Sequence, residues 1–223
     1  YIPDALQSTD DMFAAMQEQI STLDSMTSLF EYKFELMNRP LQESLDLGIP
    51  FEDLYSVGYN KNDLIGLAYQ GGIIFYVDET GQHGLISAIE NLEEIYEWGC
   101  YGSNIYGANG VSLGTGYQNT IDILSAGCDT EGGGINAAEA CDGYQVDNFN
   151  DWYLPSYAEL ELIKEALSVN SSNDNLFQFS TDAYTSSSQM SANLYYTSWF
   201  PVNISSPNML KNDPNQVLPI RSF

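Results

Sequence analysis

The sequence predicts an α+β protein with an N-terminal helical stalk, a short helical-repeat spacer and a mixed head domain. Three observations predict this architecture: a strict spacing of apolar residues in the first forty residues, a ten-residue repeat after them, and short strand-like and helix-like segments from residue 70 onwards. The predicted boundaries are 1–39 for the stalk, 40–69 for the spacer and 70–223 for the head. Because 43% of the 223 residues are hydrophobic, the chain can bury a core, which excludes wholesale disorder.

The charge balance is strongly acidic. Six Lys and Arg residues against 31 Asp and Glu residues give a net charge of -25. We expect neither nucleic acid nor an anionic membrane as a partner, because binding phosphates requires clustered Lys and Arg. We also expect no membrane insertion, since no run approaches the roughly 18 apolar residues of a membrane span. Such acidity favours a salty or extracellular setting, or cation binding.

The predicted stalk, residues 9–38, carries a narrow row of side chains at alternating spacings of three and four. All of its eight members except Thr27 are apolar: they are Phe13, Met16, Ile20, Leu23, Thr27, Phe30, Phe34 and Met37. A row this narrow is typical of a coiled-coil seam, so we expect a parallel coiled coil between identical chains. A trimer is favoured, because aromatic and Met side chains suit a wider bundle. The alternative is a single amphipathic helix packed on its own domain, which usually shows a wider apolar stripe.

The ends of the stalk also carry signals. Ser8 and Thr9 are expected to cap its start, and Pro40 is expected to stop it. The spacer that follows repeats every ten residues, with a Pro or Asn at the first place and a small residue at the ninth: Pro40, Pro50 and Asn60, then Gly48, Gly58 and Ala68. Each unit predicts one or two helical turns that must stack on a neighbour to bury their apolar side. An irregular connector is the alternative.

The head begins with a predicted β-hairpin. Residues 71–78 and 85–89 are predicted strands, joined by the Gly-containing turn between them. The tract 99–116 is rich in Gly and Asn and predicts a loop. Short helices are predicted over 121–126 and 137–141.

The second half of the head combines one helix with further strands. Residues 151–155 are predicted to form a strand leading into a helix whose start carries the capping-box pair Ser156 and Glu159. The helix has a buried stripe made of Leu160, Ile163 and Leu167. Strands are also predicted over 195–200 and 217–223, and we expect the first and last strands of the head to be adjacent.

The three cysteines predict one disulfide bond. We favour Cys128–Cys141, because the Gly132-Gly133-Gly134 segment between them is flexible enough to bring them together. An odd count leaves Cys100 either as a buried thiol or as the true partner of one of them. A disulfide implies an oxidising compartment. A zinc site is not expected, because the chain has no Cys-x-x-Cys pair and one histidine.

Two sets of side chains are candidate binding residues. Calcium prefers carboxylate, amide and carbonyl oxygens, and such groups cluster before Trp152: Asp142, Asp147, Asn148, Asn150 and Asp151. The alternative is that these acids are solvated or hydrogen-bond loop backbone. Aromatic residues among Asn, Ser and Gly predict a recognition surface on which sugars stack: Tyr101, Tyr106, Tyr117, Tyr144 and Trp199. We expect Trp98 and Trp152 to lie in the core instead.

Catalysis is not predicted. A general base needs an orienting acid and a nearby nucleophile, and the sequence offers no recognisable set around His83. We expect His83 to be a turn residue that bonds to backbone. The Gly132-Gly133-Gly134 run lacks the Lys and Ser or Thr of a phosphate-binding loop.

A series of short motifs follows in one order through most of residues 70–223: Gly71-Gly72-Ile73-Ile74-Phe75-Tyr76, Gly81-Gln82-His83-Gly84-Leu85, Trp98-Gly99-Cys100, Gly114-Thr115-Gly116 with Asn119-Thr120, Asp151-Trp152-Tyr153-Leu154-Pro155-Ser156 with Glu159-Leu160, Tyr184-Thr185-Ser186-Ser187-Ser188, Trp199, and Pro219-Ile220-Arg221-Ser222-Phe223. Together they resemble the domain family typified by the C-terminal domain of the Legionella collagen-like adhesin. The resemblance implies a C-type-lectin-like fold at the tip of a fibrous, often trimeric, bacterial surface or phage tail protein. The adhesin is thought to bind sulfated glycans, a ligand that a chain of charge -25 is not expected to share.

The stalk and the resemblance together predict a non-enzymatic recognition or adhesion head of an oligomeric fibre. We expect it on a bacterial surface or a phage-like particle, outside the cytoplasm, with a cell-surface glycan or protein as ligand. Calcium is the one cofactor we consider. The alternative function is purely structural, in which the head caps, trimerises or docks a fibre without binding sugar.

Overall fold

The computed structural model describes residues 4–169, 182–200 and 208–223, and it combines helices with antiparallel sheets, as the predicted α+β class requires. The chain forms two compact units, Tyr1–Tyr59 and Asn60–Phe223. The second unit therefore includes the third repeat, which begins at Asn60. The reason is local: the carbonyl of Ile74 accepts the Gly66 N–H at 2.8 Å, which ties the third repeat to the first sheet.

The first unit opens with the long helix α1, Asp4–Asn38. It starts before the predicted caps, so Ser8 and Thr9 lie within it, and it ends two residues before Pro40. The seven apolar members of the predicted seam expose between 55% and 70% of their surface in the single chain. The helix is confirmed, and its association with other copies stays a prediction.

The ten-residue repeat produces three short helical segments: α2 (Leu41–Asp46), α3 (Phe51–Ser56) and a 3₁₀ turn (Lys61–Leu64). Each begins directly after the Pro or Asn that opens its repeat, because the fixed φ of Pro and the capping side chain of Asn60 both favour a helix start. Gly48 and Gly58 end the first two in a left-handed conformation, with φ of 72° and 108°. The predicted helical turns are therefore confirmed.

One sheet of the second unit joins both ends of the head. Its strands are β1 (Ala68–Tyr69), β2 (Gly72–Val77), β3 (Gly84–Ser87) and β7 (Ile220–Ser222), in the order β1-β2-β3-β7, and every pairing is antiparallel. The predicted hairpin is confirmed. The first predicted strand and the last share this sheet without being adjacent, since β3 lies between them.

A second sheet contains β4 (Ala183–Gln189), β5 (Leu194–Trp199) and β6 (Asn208–Leu210) in that order. The helices of this unit are α4 (Gly116–Ala126), α5 (Ala137–Asp142) and α6 (Tyr157–Val169).

The predicted strand at 151–155 is wrong in extent. Only Tyr153 pairs as a strand residue, in a bridge to Ile220 with hydrogen bonds of 2.8 and 3.0 Å. The next N–H, of Leu154, donates to the hydroxyl of Thr120 instead, and Pro155 has no N–H to give.

The core of the head matches the sequence prediction at several points. Trp98 and Trp152 are buried, and Trp98 stacks on Tyr195 with ring centroids 6.4 Å apart. The predicted stripe of α6 is also buried: Leu160, Ile163 and Leu167. Within the described residues, no helix is apolar over enough length to cross a membrane.

Candidate functional site

A long irregular segment, residues 99–115, forms a loop that carries two of the five predicted recognition residues, Tyr101 and Tyr106. We call it the anchored loop, because buried side chains from distant elements hold its backbone. Ile105 N–H donates to the Gln189 side-chain oxygen at 2.7 Å, and the Gln189 amide donates back to the Ile105 carbonyl at 3.4 Å. Gln189 at the end of β4 thus replaces a missing strand partner.

A second anchor holds Gly110 between α4 and β4. The buried side chain of Asn119 accepts the Gly110 N–H at 3.1 Å and donates to the Gly110 carbonyl at 2.6 Å. The same carbonyl accepts the Ser188 hydroxyl at 2.6 Å. Four of the five residues 185–189 are Ser or Thr, a composition that is common in loops, yet β4 is buried along its whole length. Hydroxyl groups of β4 donate hydrogen bonds to the backbone of neighbouring segments, as Ser188 does to Gly110.

The third anchor is Glu159, which is fully buried at the start of α6. One carboxylate oxygen accepts the Ser156 N–H at 2.7 Å, and the other accepts the Gly114 N–H at 2.8 Å. The predicted capping box is confirmed, since Ser156 Oγ also accepts the Glu159 N–H at 3.3 Å. Burial raises the pKa of Glu159, while the three N–H donors around it oppose that shift. The sequence did not predict the hydrogen bond between Glu159 and the Gly114 N–H, because the two residues are 45 positions apart.

A disulfide bond between Cys100 and Cys128 closes the beginning of the anchored loop. The predicted Cys128–Cys141 pairing is therefore wrong, and the open alternative that Cys100 is a true partner is correct. Cys141 lies on α5 in an apolar cluster with Leu154 and Val217, where burial raises the pKa of its thiol. The Cys100 N–H donates to the Asp129 carbonyl at 2.9 Å, which brings Cys100 beside Cys128.

A buried lysine, Lys211, stabilises the same region through three contacts. Its ammonium lies 4.1 Å from the centre of the Trp98 ring and donates to the Ser103 carbonyl at 2.8 Å and to the Gln189 side-chain oxygen at 2.7 Å. Burial lowers the pKa of Lys211 to about 8. Cation–π contact and two hydrogen bonds stabilise the charge here.

The predicted aromatic ligand residues fall into two groups. Tyr101 and Tyr106 lie on the anchored loop and Tyr117 lies at the start of α4, directly after it; Tyr106 is completely exposed. Tyr144 and Trp199 lie elsewhere and are half-buried, and the ring of Tyr144 packs edge-on against Trp152 at 5.2 Å. The structure thus associates three of the five with one loop.

The predicted calcium ligands have different surroundings in the structure. Asp151 forms a bidentate ion pair with Arg221, at 2.6 and 3.0 Å, and this guanidinium lowers the pKa of the carboxyl. Asp142, Asp147, Asn148 and Asn150 are exposed. Across the part of the chain that the structure describes, no group of three His, Cys, Asp or Glu residues is placed to hold a metal ion. The alternative, a structural role, is the correct one for Asp151.

The buried position of Arg221 explains why the fold needs the Asp151 carboxylate. Its guanidinium also donates to the Gln70 side chain at 2.8 Å and lies 4.2 Å from the centre of the Phe149 ring. The cluster therefore joins β7 to the start of the head, and Asp151 compensates a buried charge.

A further site, which the sequence did not reveal, is a cleft of about 300 Å³ at the β2–β3 hairpin. We call it the hairpin cleft. Tyr76, Leu85 and Ser222 are register partners on three neighbouring strands and form a row across it. Leu113 of the anchored loop and Phe223 line it as well. The only available signal was the alternation of the strands, which places these side chains on one face.

His83 lies at this cleft. Its carbonyl accepts the Asp78 N–H at 2.8 Å, as predicted for a turn residue, and its side chain lines the hairpin cleft. The Asp78 carboxylate accepts N–H groups of Thr80 and Gly81, each at 3.0 Å. The hydrogen bond that the Thr80 hydroxyl donates to Asp78 contributes most to lowering the pKa of the Asp78 carboxyl.

Comparison with known proteins adds no assignment to this geometry: no model of a known protein family matches the sequence, and a search among curated proteins finds no match either.

Proposed function

We propose that the protein is a non-enzymatic recognition head carried on a self-associating stalk, outside the cytoplasm on a bacterial surface or a phage-like particle. The observation that carries the proposal is the fully exposed ring of Tyr106 on a loop whose backbone is held by buried side chains. The proposed ligand is a neutral glycan, or a protein, on a cell surface.

The anchored loop supports this proposal because it combines display with rigidity. Its Ile105, Gly110 and Gly114 peptides are each fixed by a buried side chain, although the loop has no regular structure. A binding loop that is already ordered loses little conformational entropy when a ligand binds. Tyr adds a large amphipathic surface at low entropy cost, and its ring face suits the apolar side of a sugar.

The exposed seam of α1 supports self-association. In heptad notation, Phe13 and Met16 occupy positions a and d, so Asp24 and Glu31 occupy position e. In a parallel bundle these acids face the uncharged g residues Gln19 and Met26 of a neighbour. An antiparallel arrangement places acids opposite acids, so the charges favour parallel helices.

The width of the apolar face favours three chains over two. Met12 and Met26, both at position g, are as exposed as the seam, at 64% and 63%. Apolar g residues broaden the contact face beyond a and d, and a trimer buries more of each helix surface than a dimer. Several heads side by side would raise avidity for a repeated surface ligand.

The motif resemblance to the adhesin C-terminal domain family leads to the same proposal for the head, with a C-type-lectin-like fold. Two antiparallel sheets and long anchored connections are compatible with it. The net charge of -25 argues against sulfated glycans, because like charges repel.

A glycan array tests the proposal with the full chain and two variants. We expect selective binding of neutral glycans by the native protein, and loss of that signal for Tyr106→Ala. Gln118→Ala, an exposed polar change on α4, is the matched control and should bind as the native chain does. Absence of selective binding, together with stable incorporation into a fibre or particle, would contradict recognition and support the structural alternative.

A further inference from the structure

The hairpin cleft presents aromatic rings that the fold holds in place. The ring of Phe223 packs edge-on against Tyr69 with centroids 5.3 Å apart. Its backbone exchanges hydrogen bonds with Gly84, of 3.1 and 3.2 Å. A Cβ atom on Gly84 would collide with the Phe223 ring, so the glycine makes room for the aromatic wall. Tyr76 contributes the second ring of the lining.

The charge of the cleft is negative. Among the described residues that line it, Asp78 carries a carboxylate and none is Lys or Arg. The hydrogen bonds that Asp78 accepts in the turn favour its ionised form. A second carboxylate, of the buried Glu159, accepts the N–H of Gly114, a residue that lines the cleft.

We propose that the hairpin cleft binds a quaternary ammonium group such as that of choline, held between Tyr76 and Phe223 and attracted by Asp78. Aromatic faces attract cations through their negative quadrupole, and the attraction increases when water is excluded. The rest of the lining is mainly apolar, with Leu85 and Leu113, which matches the methyl groups of such a cation.

The apolar part of the lining favours a methylated cation. A primary ammonium has three N–H donors and is strongly hydrated, so contact with the apolar surface of Leu85 and Leu113 costs it more of its hydration. A quaternary ammonium has no N–H donor and loses less on leaving water. This binding site goes beyond the proposed function, because it concerns a different ligand and a different surface from that of Tyr106.

Calorimetric titration of the full chain tests the proposal with three small probes. Choline is the quaternary cation, 3,3-dimethylbutan-1-ol is its uncharged isostere, and ethanolamine is the primary ammonium. We expect choline to bind about tenfold more tightly than either of the others, which corresponds to the energy of a partly desolvated cation–π contact. Methyl NMR signals of Leu85 and Leu113 should shift with choline.

Two variants locate the site. Asp78→Asn keeps an acceptor for the turn and removes the charge, and Phe223→Leu keeps an apolar residue and removes the ring; each should weaken choline binding about five- to tenfold. Glu93→Gln removes an exposed acid away from the cleft and should leave binding unchanged. Equal binding of choline and its uncharged isostere overturns the proposal, as does the absence of shifts at Leu85 and Leu113. Positive choline binding by a chain that binds no glycan selectively and is stably incorporated into a fibre or particle would reject the proposed function and leave this inference standing.

Discussion

The stalk helix and the anchored loop find partners for their backbone N–H and carbonyl groups in opposite ways. In α1 every backbone hydrogen bond of the helix interior is local, while the apolar seam of residues such as Leu23 and Phe30 stays exposed in the single chain. In the anchored loop the backbone has no regular partner, and distant buried side chains such as Gln189 and Asn119 satisfy it. The regular hydrogen bonds of α1 leave its apolar side chains available for contact with other chains. The irregular backbone of the anchored loop instead depends on side chains from distant parts of its own chain.

The largest expected effect is on the stalk. Replacing Leu23 and Phe30 by Glu places charges in the seam, so we expect the proposed trimer to fall to a monomer, a threefold loss of solution mass by light scattering. Ser21→Glu with Ser28→Glu adds the same charges on the opposite side of α1 and should leave the mass unchanged. A monomer for the native chain would remove the contrast between the two regions.

The disulfide of the anchored loop should give the next largest effect. Cys100 and Cys128 are 28 residues apart, and the double change to Ser releases a loop whose closure is worth about 3.5 kcal/mol in the chain-entropy model. Chemical unfolding measures the loss. Cys141→Ala leaves the disulfide intact and serves as the comparison; an equal loss in both variants would show that the disulfide contributes little beyond cavity effects.

A smaller loss is expected at the Gly110 anchor. Asn119→Ala leaves the Gly110 N–H and carbonyl without this buried partner, which costs about 2 kcal/mol of unfolding free energy. Gln118→Ala, the preceding residue on α4, removes only an exposed bond to Asp122 and should cost under about 0.5 kcal/mol. Equal melting temperatures for the two variants would show that the loop does not need its anchor.

A further expected effect is a dependence of stability on pH. Because burial lowers the pKa of Lys211 to about 8, the unfolded chain binds this proton more tightly than the folded chain does. The unfolding free energy should therefore rise between pH 8 and pH 10. Above that range Tyr195, whose pKa burial raises to about 12, reverses the slope, since the unfolded chain loses the tyrosine proton first.

Thermal unfolding of Lys211→Met as a function of pH checks this prediction. The variant should lose the rise between pH 8 and pH 10, whereas Lys33→Met on α1 should keep it. A rise of the same size in all three proteins would place its origin in other groups.

Sequence reasoning succeeded where a signal repeats or is local. The spacing from Phe13 to Met37 predicted a helix, the repeat that begins at Pro40 predicted three short helical segments, and the Ser156–Glu159 pair predicted a helix start. It failed for the disulfide bond, because the sequence offered two possible partners for Cys128. Cys141 lies nearer to Cys128 in sequence than Cys100 does, and only the packing of α5 decided between them.

The sequence by itself determined the stalk helix, the short helices of the repeat, the hairpin and the buried stripe of α6, because hydrogen bonds and side-chain periodicity within a few residues specify such elements. The tertiary structure alone decided the anchored loop, the Asp151–Arg221 pair and the hairpin cleft. Ile105 and Gln189 are 84 residues apart, and Asp151 and Arg221 are 70 residues apart. No local pattern encodes such partners, since a buried polar group takes whichever complementary atom the completed fold brings within hydrogen-bond distance.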